Sequence, residues 1–132
     1  MDFVFAYTSA FYALADLDDR HHKEAVSVVS RLRKSSIPVF TSNYIVAETH
    51  ALILSRMGHD TSRSWLHHFS FPMYQVTEDD QAAARAIIFT HSDKDYSLTD
   101  ATSFGLMRRL GVSQAFAFDA HFVQFGYEVL KS

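Results

Sequence analysis

The stretch FVFAYTSAF, Phe3 to Phe11, decides how the rest of the chain is read. An apolar and aromatic run meets the polar pair Thr8-Ser9, and a second apolar run, AFYALA, follows at once. The first run has the character of a buried strand and the second that of a helix packed on a core. A strand that turns directly into a helix is the repeating unit of parallel α/β proteins. In these, ligands bind outside the carboxyl ends of the strands. The residue at that junction is Tyr7, an aromatic where a site of this kind would hold a reactive group.

Outward from this junction the same alternation recurs. A strand is predicted over Phe3 to Tyr7 and a helix from Ser9 to about Leu17, followed by the polar turn DLDDRHH. His22 to Lys34 carries Ala25, Val26, Val29 and Leu32 at helical spacing. IPVFTS reads as a short strand running into a helix capped by Ser42 or Asn43, which continues to Met57 and stops at Gly58. Thr61 to Phe69 is a further helix and FPMYQV a strand. TEDD opens a helix with a cap residue and acids in the first turn, and that helix runs to about His91. After the loop HSDKDYS come a helix from Ser97 to Leu110 closed by Gly111, the strand QAFAF, a short helix from Asp119 to Phe125 and a last strand, YEVLK. Strands that alternate with helices need crossover connections. The expectation is therefore a three-layer α/β fold, with a five-stranded parallel sheet covered on both faces, in one domain spanning residues 1–132.

Composition narrows the function classes. A chain of 132 residues with 48% hydrophobic and 20% charged residues is globular in character and long enough for a sizeable core. It has no run near the length of a membrane span and no signal-like segment, so the cytoplasm is the expected location. The absence of cysteine excludes disulfides and thiolate metal sites. A net charge of −3 leaves no global basic field, so nucleic-acid binding would have to use a local patch.

Three acids stand out by position. Glu48 lies three residues after Ile45 and four before Leu52, on an apolar line of its helix, where a lone charge needs a partner or a cation. Asp100, in SLTD, fits a capping box with Ser97. Asp119 ends a strand and fits an N-cap. Each has an ordinary structural explanation when taken alone. In a parallel sheet, however, all three would lie at the carboxyl edge. Carboxylates that converge repel one another unless a cation or a proton relieves them. An oxygen-only ligand set without cysteine favours Mg²⁺ or Mn²⁺, ions that act on phosphate esters.

Four segments together resemble the PIN-domain family, and within it the VapC-type toxin ribonucleases of type II toxin–antitoxin systems. They are TSAFYAL, TSNYIVAETHAL around Glu48, DKDYSLTDATSFGLM around Asp100, and AFAFDAHFVQFGYEVL around Asp119. The resemblance covers essentially the whole chain. It implies a parallel sheet of order 3-2-1-4-5 and endonucleolytic cleavage of RNA (tRNA, rRNA or mRNA). It also implies an acidic cluster holding Mg²⁺ or Mn²⁺, with Glu48, Asp100 and Asp119 as catalytic and metal-binding residues. A cognate antitoxin that covers the acidic pocket and a homodimer are the partners it implies. Asp93 and Asp95, on the loop before Asp100, are candidate outer-shell acids or simply solvated.

One landmark departs from the family pattern. Where the family has an aspartate followed by Thr-Ser, this chain has Tyr7 before Thr8 and Ser9. A phenol stays protonated near neutral pH and is a poor ligand for Mg²⁺, and its ring is bulky enough to fill the space of an ion and its water. No nearby acid substitutes: Asp2 is at the other end of the strand, and Asp16 and Asp18 lie past the first helix. The hydroxyls of Thr8 and Ser9 are expected to cap that helix or to assist a hydrated ion. The expectation is a metal-dependent endoribonuclease with lost or impaired activity. The alternative is a non-catalytic PIN-fold module that binds antitoxin or RNA.

The remaining features have ordinary readings. The adjacent pairs His21-His22 and His67-His68 cannot face one way on a helix, and no HExxH motif is present, so a zinc site is not expected. His50 points away from Glu48, and His121 is either a surface group or a substrate contact. Arg108 and Arg109 suit the dipole at a helix end, and Arg56, Arg63 and Lys94 are candidates for a phosphate-binding rim.

Overall fold

The structure, a computed structural model, describes residues 3–132. Asp2 therefore lies outside the described residues. The elements in chain order are β1 (Val4–Ala6), α1 (Thr8–Ala15), α2 (His22–Lys34), β2 (Val39–Ser42), α3 (Asn43–Met57) and α4 (His59–His68). These are followed by β3 (Met73–Tyr74), α5 (Glu78–Thr90), α6 (Leu98–Leu110), β4 (Gln114–Phe116), α7 (His121–Phe125) and β5 (Glu128–Val129). The strands form one parallel sheet of order β3-β2-β1-β4-β5, the order that the family resemblance implies.

β1 is central because its residues have no polar face: Val4, Phe5 and Ala6 are all fully buried, as a strand covered on both sides requires. It pairs Val4 with Val39 on one side and with Gln114 on the other. Phe5, Phe104, Phe116 and Phe122 are also fully buried, each contributing on the order of 1.5–3 kcal/mol by burial. Several strands are shorter than the apolar runs that announce them. FPMYQV pairs only at Met73 and Tyr74, and YEVLK only at Glu128 and Val129, each against a single neighbour at a sheet edge.

Local chemistry sets the helix ends. The Ser42 side chain accepts from the Ile45 N–H at 3.2 Å and starts α3. Capping boxes start α5 (Thr77 with Asp80) and α6 (Ser97 with Asp100). Gly111 takes the left-handed conformation that ends α6, where a side chain would be strained. α5 and α6 approach closely at Gly105, where an added Cβ would lie 3.2 Å from the Asp80 carbonyl oxygen. Among the described residues no helix is long and apolar enough to cross a membrane.

Candidate active site at the carboxyl edge of the sheet

The site forms where β1 and β4 end side by side. The Tyr7 N–H donates to the Phe116 carbonyl at 3.0 Å, so the residue after β1 is tied to the last residue of β4. This brings Asp119, three residues further on, beside the start of α1. α6 delivers Asp100 to the same place, and α3 delivers Glu48 from its second turn.

Tyr7 stands among these acids. Its side chain is 5% exposed, and its ring packs edge-on against Phe122 with centroids 4.8 Å apart. Its hydroxyl donates to Oδ1 of Asp100. Burial, that hydrogen bond and the charges of Asp100, Glu48 and Asp119 all push the phenol above its ordinary range, so it is a donor and not a phenolate ligand. The other oxygen of Asp100, Oδ2, accepts from the Ser97 N–H at 3.0 Å and lies 2.8 Å from Nδ1 of His121. Both oxygens of this buried carboxylate are therefore engaged.

The polar pair after Tyr7 holds the other two acids. Thr8 Oγ1 donates to Glu48 at 2.5 Å. Ser9 Oγ donates to Asp119 at 3.3 Å and accepts from the Phe118 N–H at 2.9 Å. This corrects the expectation that the two hydroxyls cap α1. The N-cap residue is Tyr7, with no side-chain cap bond, because both hydroxyls face the carboxylates across the sheet edge. Asp119 is likewise not a cap: α7 begins two residues later, after Ala120, and the Asp119 carboxylate is turned toward Ser9. Burial pushes the Asp119 carboxyl up, and the Asp100 charge adds to this, against its own backbone N–H, His121 and Ser9.

His121 is the residue that the sequence reading undervalued. It stands between Asp100 and Asp95, with Nε2 3.2 Å from the latter. Asp95 is almost fully exposed and meets the cluster through this histidine. Asp93 pairs with Lys94 in solvent, and Arg63 contacts His59 on α4. Of the expected phosphate-rim residues only Arg56 lines the cleft. With Glu48 and Leu52 it forms a stripe at four-residue spacing along α3. The cleft, of about 310 Å³, is also lined by Tyr7, Ser9, Tyr12, Asp19, His21 and Asp119.

Asp100, Asp119 and His121 offer ligand atoms that all lie within 4.8 Å of one another, close enough to share a metal ion. The fit to the hard, oxygen-only site of a Mg²⁺ enzyme is incomplete. One of the three donors is an imidazole, Glu48 is held by Thr8, and the phenol of Tyr7 occupies an Asp100 oxygen.

The chain belongs to the PIN-domain family, among its VapC-type toxin ribonucleases. It is 34% identical over 128 residues to the 23S rRNA-specific endonuclease VapC20 of Mycobacterium tuberculosis, an alignment that covers 94% of this chain and 95% of that protein. The crystal structure of VapC20, described as a Sarcin-Ricin loop cleaving toxin, superposes with a TM-score of 0.86 at 32% identity, covering 98% of this chain and 99% of that one. Two more distant structures share the fold. A toxin–antitoxin complex from Klebsiella pneumoniae has a TM-score of 0.67 at 13% identity, with coverage of 96% and 95%. FitAcB from Neisseria gonorrhoeae has a TM-score of 0.71 at 14% identity, with 96% of each chain covered. No family model matches the chain.

Proposed function

We propose that the chain is a single PIN domain of the toxin class that acts on RNA phosphodiester bonds at the cleft between α1, α3 and β4. In this reading Glu48, Asp100 and Asp119 are its reactive acids, and cleavage is held back by Tyr7. The observation that carries this is the hydrogen bond from the Tyr7 hydroxyl to Asp100, at the position where the family resemblance implies an aspartate. Relatedness to an rRNA endonuclease supports RNA as the substrate class, with structured rRNA the first to test. A cognate antitoxin is the protein partner this reading supplies, in the cytoplasm, with the toxin as a homodimer.

The chain's own residues divide the work. Thr8 and Ser9 fix the orientation of Glu48 and Asp119, and Ser97 and His121 fix that of Asp100. Arg56 lies on the cleft wall, where it would meet a phosphate. A divalent cation held by Asp100, Asp119 and His121 would supply charge neutralisation at the phosphate and an activated water. In the wild-type chain the phenol competes for Asp100. That bond also favours the second reading, a PIN-fold module that binds antitoxin or RNA without cutting.

The test is cleavage of rRNA fragments by the wild type and by Tyr7→Asp, with Mg²⁺ or Mn²⁺ supplied. The expected result is cutting by Tyr7→Asp that exceeds the wild type by at least the roughly 10–100-fold that outer-shell partners of metal sites control. Folded Tyr7→Asp that cuts no RNA at high protein concentration would overturn the nuclease reading and leave the binding module.

A further inference from the structure

His21 and Phe118 form a face-to-face stack beside Asp119. Their ring centroids are 4.5 Å apart and their planes differ by 8°. Neither ring is fully buried. Phe118 packs edge-on against Phe116, with centroids 6.0 Å apart, and its backbone N–H is held by Ser9. The edge of His21 receives a hydrogen bond from Arg20 Nε at 3.1 Å, which leaves a cation at the rim of the stack.

The stack stands between two clefts. His21 and Asp119 line both the cleft that holds Tyr7, Glu48 and Arg56 and a second one, also of about 310 Å³, lined by Phe118, Val123 and Lys131. A strand that occupied both clefts, from the one with Arg56 to the one with Lys131, would meet their shared lining residues, His21 and Asp119. The cleft walls carry Asp19, Glu48 and Asp119 against Arg56, so phosphate attraction is weak there. Affinity for RNA at this place then needs a contact indifferent to charge. A π-face offers that contact to any unpaired base, because every base has a face to stack.

We propose that the His21–Phe118 stack is a platform for one unpaired RNA base beside the acidic cleft. His21 is thus a substrate-positioning residue. The inference rests on the RNA reading above. It assigns His21 a role that no carboxylate geometry requires, and it selects flexible or looped RNA over a continuous duplex.

The experiment measures binding of a labelled short single-stranded RNA, and of the same strand with abasic riboses, by fluorescence anisotropy at fixed salt. His21 is the N-cap residue of α2, but its side chain makes no cap bond, so His21→Ala removes the ring without costing a capping interaction. His21→Ala is expected to weaken binding of the intact strand at least about fivefold, the low end for loss of one base–aromatic stack, and to leave the abasic strand unchanged. His21→Trp is expected to restore or exceed wild-type affinity. Equal affinity of wild type and His21→Ala for the intact strand overturns the platform while RNA binding stands. So does equal loss on both strands. If the wild type binds neither strand, the platform and the RNA reading fall together.

Discussion

Two aspartates begin adjacent helices in the same local motif and meet opposite fates. In α5, Asp80 closes a capping box with Thr77, and Arg109 from α6 clamps it with bonds of 2.8 and 3.0 Å. In α6, Asp100 closes a capping box with Ser97, but it faces Tyr7, His121 and the acid Asp119. Burial pushes the Asp80 carboxyl up, but the guanidinium and Thr77 outweigh it, and the group is held below the usual carboxylate range. The capping box gives either aspartate a reason to exist. Only what meets it from other elements separates a closed ion pair from a carboxylate set among a phenol, an imidazole and a second acid.

The contrast can be broken at either end. The largest effect is expected from Tyr7→Asp without divalent ions. It sets a further carboxylate among Asp100, Asp119 and Glu48 and removes a ring packed on Phe122, at a cost of about 3–4 kcal/mol, read by urea denaturation. Added Mn²⁺ should recover much of that loss, because binding to the folded state alone stabilises it. Next is Arg109→Leu, which leaves the Asp80 carboxylate buried and unpaired. A loss of about 2–3 kcal/mol is expected, below the full cost for a buried pair because Arg109 is partly exposed. No change would mean that Asp80 is as tolerant of solitude as the acids at the site.

A smaller effect of opposite sign is expected at Asp119. Its folded-state carboxyl is raised, chiefly by burial, so the stability linked to it is full below the ordinary carboxylate pKa and is lost as pH rises through the raised value. Asp119→Asn should therefore be more stable than the wild type at neutral pH, by about 0.5–1 kcal/mol, and should lose that part of the pH dependence above the ordinary carboxylate range. Asp80 runs the other way. Its carboxyl is depressed, so its stabilisation is full above the ordinary value and fades only as pH falls below it. Urea midpoints measured across the acid range check both signs. Identical curves for the wild type and Asp119→Asn would contradict a carboxyl raised by burial at Asp119.

Much of the fold was legible in the sequence because its signals are local. His22 to Lys34 forms the helix its spacing predicts, although Val28 and not Val26 joins Ala25 and Leu32 in the core; Gly58 and Gly111 mark helix ends, and Ser97 and Asp100 spell out a capping box three residues apart. The three acids could be gathered at one sheet edge from topology alone. The contacts among side chains could not. Thr8, Ser9 and Asp119 all look like caps in sequence, yet their oxygens meet across a gap of more than a hundred residues or from a separate helix. His121 sits two residues after Asp119, and nothing in that spacing announces that it would reach Asp100. Arg109 looks like a helix-end cation and is also the clamp on Asp80. The strands are shorter than their apolar runs, because such a run does not reveal how many of its residues find a pairing neighbour.

The central claim is that the Tyr7 hydroxyl closes the acidic site by holding Asp100. Mn²⁺ titration of the wild type, Tyr7→Phe and Tyr7→Asp by calorimetry tests it most directly. Tyr7→Phe keeps the ring and removes only the bond. Affinity is expected to rise from wild type to Tyr7→Phe, and by roughly tenfold or more from wild type to Tyr7→Asp. Equal Mn²⁺ affinity in all three proteins would contradict the account.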